Sequence, residues 1–531
     1  MDKAEPIDRK SAERGSWDAL IVGAGHNALV AGIFLARAGL RVLMLEARAM
    51  VGGAARTERP FEKAPNLPTS TGAYLLGLMP PELLGALGIE LCLIRRDPHY
   101  FLPTTSGRYL LFGSDTAQVE QNFRKFFTDK DLSENARLER EIAALREDVA
   151  PTWLEEPLSI EDTAERYVRP ELREVFVKLC RGSIGEYLGR FEFDTELLPA
   201  MYAVTDGFSG LNGGWDSPGT GMNFLIHNMC RLPSSGGTWM IVQGGMGSVT
   251  QQLFREFRRA GGEVMVNEPV ERVIVEGGSA RGVVLGGGLE LRARVVVAGC
   301  DPFTLRDLVG EDAFPQPLGQ RLDAMKKPGS TFKLNLALAR MPRFTCLPDP
   351  PESFGPTVHL IPEGKSVISE LRNAFRTVQE GRLADTPTIE WYVHTPLDPS
   401  LSDEHGRLSS ALFVQWVPYE LADSSWEVEA ERYADRLLAI CDRYAPGTSS
   451  LVVDRLPLHP QAIERRFGMR HGHIHHIDNS FGFSDRFPHA LPIQGLYSCS
   501  AGTHPAGSVI GCAGYVASKR VLADLEKLPQ M

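Results

Sequence analysis

The sequence predicts an α/β protein in which a Rossmann-like nucleotide-binding domain is interleaved with an α+β domain. Three observations lead there. A strand–turn–helix–strand unit, "ALIVGAGHNALVAGIFLARAGLRVLMLEAR", occupies residues 19–48. A second glycine turn, "VGGAART", follows at 51–57. Near the other end, "GLYSCSAGTHPAGSVIGCAGYVA", residues 495–517, reads as strand, glycine-rich turn and helix. Between them, residues 76–235 and about 301–455 are less regular, with helices expected near 116–150 and 161–189.

Leu20-Ile21-Val22 is a short apolar run of the kind that forms a buried parallel strand. Gly23 turns the chain, and Gly25 lets the backbone approach a pyrophosphate. His26 to Ala38 has helical spacing, and its start offers free N–H groups and a positive dipole end. Ala28 stands where a third glycine is usual; a small residue suffices there. Arg41 to Leu45 is a second strand. Glu46 follows, 21 residues after Gly25, placed to accept from ribose hydroxyls. Its charge disfavours a 2′-phosphate. In "VGGAART", Gly52 and Gly53 allow a return to the pyrophosphate, to which Arg56 supplies charge.

A second fingerprint-like run, "WMIVQGGMGSVT", spans 239–250, with a helix expected over about 249–260 and a strand over 263–267. Two readings stand. It is a second nucleotide unit for NAD(P)H, or its helix packs on a single flavin sheet and sends Val270 toward adenine. The favoured reading is one nucleotide: Thr250 sits at the third motif position, and no redox cysteine pair follows the first unit.

In the C-terminal stretch a helix is expected from about Ser508 or Val509. Its N-terminal N–H groups, from Val509 and Ile510, suit the negative charge of a reduced flavin, which nicotinamide does not develop. That element favours FAD over NAD.

The composition bounds the rest. The chain has 531 residues, 43% hydrophobic and 23% charged, which suits two or three globular domains. A net charge of -11 without a basic block argues against nucleic acid. Eight scattered cysteines without a C-x-x-C pair predict reduced thiols in a cytoplasmic setting. The N-terminal "MDKAEPIDRKSAERG" does not read as a targeting segment. Residues 19–40 are about long enough to span a membrane, but His26, Asn27, Arg37 and two glycines break the run. Contact with a membrane surface is left open, as is a homo-oligomer.

Together, "VGAGHNALVA", "LEAR…VGGAART", "VQGGMGSVTQQL", "EVMVNEPVERVIVEGGSARGVVL", "VVVAGCDP", "ERRFGMRHGHIHH" and "GLYSCSAGTHPAGSVIGCAG" resemble the phytoene-dehydrogenase-related flavoproteins. The likeness is closer to the branch named for pyridine nucleotide-disulfide oxidoreductase domain-containing protein 2. The resemblance implies a glutathione-reductase-type FAD-binding domain, as in amine oxidases and phytoene desaturases. By position that domain covers 18–75, 236–300 and 456–531; a substrate or cap domain covers 76–235 and 301–455. It implies that Gly23, Gly25, Asn27, Ala28, Glu46, Arg48, Gly53 and Arg56 hold the ADP half, that Val270 touches adenine, and that Gly502, Ser508, Val509 and Ile510 meet the ribityl chain and isoalloxazine. Ala506 replaces a glycine of the family's run, which would narrow the space over the flavin.

The activity implied is oxidation, desaturation or isomerisation of a mostly apolar small molecule, carotenoid-like in some relatives. Oxygen, a quinone or another protein would take the electrons. The alternatives are a redox-neutral isomerase, an NAD(P)H-dependent reductase and an FAD-bearing interaction protein. His504, beside the expected ring, and His476 are the candidate catalytic side chains. Residues 471–476, "HGHIHH", are expected to be a strand lining the substrate cavity rather than a metal site. Trp391, Tyr392, Phe413, Trp416 and Tyr419 are pocket candidates, though ordinary sheet core accounts for most of them.

Overall fold

The protein is described by a computed structural model over residues 7–350, 353–363 and 366–527. The first six residues of the N-terminal stretch lie outside the described residues.

Two seven-stranded sheets organise the chain. The first runs in the order Val270–Glu276, Ser279–Leu285, Glu290–Ala298, Trp17–Val22, Val42–Leu45, Glu263–Met265, with Leu496–Ser498 also paired to Glu290–Ala298. Its centre is parallel. The apolar runs are buried on both faces because helices cover both. Ala19, Ile21, Val42 and Met44 face the helices His26–Arg37, Gly247–Arg259 and Cys512–Glu526. Leu20, Leu43, Val296 and Ala298 face Phe303, Leu305, Leu318 and Leu322 on the other side. Each of these side chains larger than alanine contributes about 1.5–3 kcal/mol of burial. The small residues along the C-terminal helix permit close helix contact: a Cβ on Gly514 would stand 2.0 Å from the Asn27 carbonyl oxygen.

The second sheet runs Val452–Leu458, Thr331–Leu338, Leu408–Gln415, Thr388–Val393, Thr357–Leu360, Tyr100–Pro103, Tyr109–Phe112. Along Thr331–Leu338 the side chains alternate. Phe332, Leu334 and Leu336 pack in a core with Tyr433 and Leu437 of the helix Trp426–Tyr444. Lys333 and Asn335 take the opposite face, and Lys333 reaches the main cavity. The strand at 452–458 belongs to this sheet, so a boundary at 455/456 cuts it. The helix Pro302–Val309 packs instead against the first sheet.

The choice between the two readings of 239–250 is decided, and two sequence expectations need correction. Ile241–Val242 pairs with Leu93–Ile94 in a separate ribbon, not in the nucleotide sheet. The turn after it binds protein: Gly247 N–H donates to Thr57 Oγ1 at 3.0 Å, Met246 N–H to Ser70 Oγ at 3.0 Å, and Thr250 Oγ1 to the Ala55 carbonyl at 2.8 Å. A second dinucleotide unit is therefore not formed, and the helix Gly247–Arg259 packs on the helix His26–Arg37, as the single-nucleotide reading expects. The histidine run is not a strand; it is a short 3-10 turn, Arg470–Gly472, and a loop with positive φ at His471, Gly472 and His476. The last helix begins at Cys512, after Gly511 at φ +84°, not at Ser508.

Candidate active site

In the first sheet, Val22 lies level with Ala298 and Leu45, Ala298 with Ser498, and Leu45 with Met265. Five parallel strands thus end together. The turns that leave them, from Gly23 and from Cys499, open on one side, where open α/β sheets bind ligands. A cavity runs from this edge to the second sheet.

At its near end Gly23, Ala24, Gly25, Asn27 and Ala28 meet Glu46, Arg48, Gly53 and Arg56. Glu46 accepts from the N–H groups of Ala24 at 2.8 Å and Arg48 at 3.0 Å, one on each carboxylate oxygen. Each oxygen keeps a lone pair for a hydroxyl. The Gly52 N–H donates to the Ala24 carbonyl at 2.8 Å, so the second glycine turn lies against the first. Arg56 is 7% exposed; its Nε has no partner and its nearest carboxylate is Glu58 at 3.5 Å. Burial pulls the Arg56 guanidinium down. The orphaned Nε of this buried cation and the orphaned Asn27 Oδ1 on a cavity wall are groups awaiting an anion and a donor. Val270 and Pro269 close this end.

At the far end the wall is built from both sheets and both termini. His26, His475, His476, Ala501, Ser508 and Val509 form one side, and Tyr74, Lys333, Tyr392 and Phe413 the other. Burial holds His26 down at about 4, helped by His476. Burial also lowers the His476 imidazole, whose Nδ1 has no partner. Among the described residues the N–H groups of Val509 and Ile510 have no backbone acceptor. Lys333 Nζ sits 4.4 Å from the Tyr74 ring centre and 4.3 Å from that of Phe413. The Tyr392 hydroxyl donates to Glu390.

Burial pulls Lys333 down to about 7, against Glu390, and pushes Glu390 up to about 7. The folded state of Lys333 binds protons less readily than the unfolded chain, so its penalty grows as pH falls from 10.5 to about 7. In the apoprotein, Lys333→Met is therefore expected to raise the urea midpoint at neutral pH, the gain fading as pH climbs toward 10.5. Glu390 acts oppositely: its contribution is present below 4.5 and lost as pH rises through about 7. Midpoints measured against pH for the wild type, Lys333→Met and Glu390→Gln check both signs.

Of the expected binding residues, Gly502 and Ile510 do not line the cavity. Gly502 lies against Pro302 and Ile477, and Ile510 is in the core. Ala506 is 1% exposed within the core and narrows nothing. The catalytic assignment of His504 is also corrected. The ring is buried beside Phe483, 5.9 Å centre to centre, with Trp153 and Met222 around it, away from the main cavity. The chain bends after Thr503 and turns the side chain inward. Tyr392 and Phe413 face the cavity, Trp391 and Trp416 are core, and Tyr419 does not line the cavity. His475 and His476 line the cavity as expected of the histidine run, whereas His26, Tyr74 and Lys333 were not singled out from sequence. Lys333 alone left a signal, a lysine within the apolar alternation "TFKLNLAL".

Among the described residues no group of three or more His, Cys, Asp or Glu side chains could hold a metal, and no helix is long and apolar enough to cross a membrane. Comparison with known proteins then identifies the group the cavity fits. The family described as flavin containing amine oxidoreductase matches residues 29–344. Pyridine nucleotide-disulfide oxidoreductase domain-containing protein 2 of Rattus norvegicus is 31% identical, over 96% of this chain and 94% of that protein. The lycopene-forming phytoene desaturase of a Paracoccus strain is 25% identical, over 93% and 95%. A solved putrescine oxidase, bound to putrescine, superposes with a TM-score of 0.61 at 19% identity, over 97% and 100% of the two chains. The cofactor is FAD, and the observations above fit it: glycine turns, the ribose-directed carboxylate, a buried arginine with an orphaned Nε and the Val509 N–H share one cavity. The chain belongs to the flavin-containing amine oxidoreductase family of FAD-dependent oxidoreductases.

Proposed function

We propose that this chain is a phytoene-dehydrogenase-like FAD enzyme that removes a hydride from a C–H bond of a largely apolar substrate. The observation that carries the reading is the aromatic chamber of Tyr74, Tyr392 and Phe413, which continues the nucleotide cavity on the second sheet. FAD, when bound, supplies the hydride acceptor. The protein's share is positioning. Gly23, Gly25, Asn27, Ala28, Glu46, Arg48, Gly53 and Arg56 hold the ADP half, Val270 meets adenine, and Ser508 and Val509 meet the ring. His476, with a free Nδ1 on the cavity wall, holds or moves a proton at that atom. The aromatic rings exclude water and orient the apolar chain.

Amine oxidation, which the putrescine oxidase carries out, is the competing reading. Lys333 argues against it here. Its Nζ already fills the slot between two rings where a substrate ammonium would be held. The electrons pass on to oxygen, a quinone or a protein. A cytoplasmic setting is supported by eight free thiols.

The purified protein is expected to show flavin bands near about 370 and 450 nm. Under anaerobic conditions an isoprenoid hydrocarbon such as phytoene should bleach them, and putrescine should not. Bleaching by putrescine alone would replace the reading. Substrate conversion without net bleaching would mark a redox-neutral isomerase.

A further inference from the structure

Beyond the aromatic chamber lies a second cavity, of about 690 Å³, within the range of small-molecule sites. Leu75, Ser209, His227, Trp239 and Tyr392 wall both cavities, so the two adjoin. The chamber is aromatic; the second cavity gathers arginines.

Arg95, Arg96 and Arg146 all line it, and all three abut one turn. Ser234, Gly236 and Gly237 in that turn have φ of 61°, 62° and 88°. The glycines let the guanidinium groups close in. A Cβ on Gly236 would stand 2.9 Å from Arg95 Nη2, and one on Gly237 2.7 Å from Arg146 Nη1. Arg96 Nε donates to the Trp239 carbonyl at 3.1 Å. Arg96 is only 6% exposed, and its Nη1 is used on the His99 carbonyl and the Thr357 hydroxyl. Its Nη2 has no acceptor among the described residues. Arg146 gives Nε to the Asn228 carbonyl. None of the three arginines is ion-paired among the described residues; Arg95 and Asp97 feel one another, Arg96 feels Glu390, and Arg146 feels Asp206 and Glu147, only through space.

Arg96 is buried, Arg146 half-buried and Arg95 exposed, and a buried charge is ordinarily paired. Of the acids on this wall, Glu120 is taken by Arg124 and the other three are poor partners. Burial pushes the Asp206 and Glu390 carboxyls up to about 7 and raises Glu139, whereas Arg96, pulled down to about 10, stays a cation at neutral pH. An ammonium ligand would meet three guanidinium groups and be repelled.

We propose that the second cavity is a subsite for an oxyanion, a carboxylate or a phosphate ester, carried at one end of the substrate and held by Arg96, Arg146 and Arg95. The inference rests on the apolar-substrate reading and narrows it to an amphiphile. The apolar body lies in the aromatic chamber, and the acidic end passes Tyr392 and Trp239 to the arginines.

The test uses the FAD-bound enzyme and four ligands with one chain: oleate, oleyl phosphate, oleyl alcohol and oleylamine. Binding is read from the perturbation of the flavin absorbance. One of the two anions is expected to bind at least about tenfold tighter than the alcohol, with the amine weakest. Which anion wins identifies the head group. Added salt should erode the anion's advantage and leave the alcohol's Kd unchanged. Arg146→Gln and Arg95→Gln should each reduce that advantage, with the alcohol as internal control for a folded site. Equal Kd values for acid and alcohol, or a full anion preference in the double variant, would overturn the subsite while leaving the apolar reading intact. Failure of all four chains to bind would overturn the subsite, and the apolar reading would fall with it only if phytoene also failed to bleach the flavin.

Discussion

Gly25→Ala is expected to give a folded protein that holds FAD about 10- to 100-fold more weakly, the scale of one methyl forced into a filled space. Gly25 sits at φ -73° and ψ 172°, which alanine adopts without strain. A Cβ there meets no protein atom within 4 Å; it points into the cavity. The methyl therefore spares the apoprotein and occupies space where the first glycine turn would meet the pyrophosphate. Gly53→Ala is the contrast. Gly53 has φ +59°, and its Cβ would stand 3.2 Å from Gly25 Cα, so that variant loses apoprotein stability as well, by about 1–2 kcal/mol. FAD content after gel filtration, read beside apoprotein Tm, separates the two cases. A Gly25→Ala protein with a full complement of FAD would remove the first glycine turn from the cofactor site.

The turn was legible because its signals are local. Strand, glycine, helix and acid fall within 30 residues, and each follows from backbone rules that need no distant partner. The second fingerprint used the same letters for another purpose. Gly245 and Gly247 are small because Thr57 presses on both and Ser70 on the first, and Gly244 because Ser248 lies against it: a Cβ on Gly245 would stand 2.5 Å from Thr57 Oγ1. Sequence spacing cannot distinguish a glycine emptied for a phosphate from one emptied for a neighbouring side chain. The histidine run misled for a related reason. Its alternation imitates a strand, but His473 Nε2 pairs with Asp478 Oδ2 at 3.1 Å and His475 Nε2 reaches the Ser209 carbonyl at 3.2 Å. Those contacts fold the segment into a loop. Lys333 reads as the solvent face of an amphipathic strand; only the tertiary arrangement makes that face the wall of a cavity.

Arg486→Met is expected to cost about 3–5 kcal/mol of stability and to lose FAD with it, the scale for removing one member of a buried charged network. No motif marked Arg486, because what it does is visible only in three dimensions. It is 1% exposed, and burial pulls it down to about 9. Its Nε donates to the Thr503 carbonyl at 2.9 Å, and Nη2 to the carbonyls of Ile477 at 3.0 Å and Ala501 at 2.8 Å. Its Nη1 serves Asp478, Asn479 and Phe481. One guanidinium thus ties the histidine loop to the segment that follows the last strand, and those two pieces carry His475, His476, Ala501, Ser508 and Val509 to the cavity. Methionine fills much of the volume but leaves these acceptors without their donor. Arg486→Lys should recover only part of the loss, since one ammonium cannot span acceptors on both sides of a planar fork. Urea midpoints and FAD retention are the readouts. Gly25→Ala should lose the cofactor and keep the fold, whereas Arg486→Met should lose both together. A Met variant within about 1 kcal/mol of the wild type would mean that the loop and the C-terminal segment are held together by something other than this arginine.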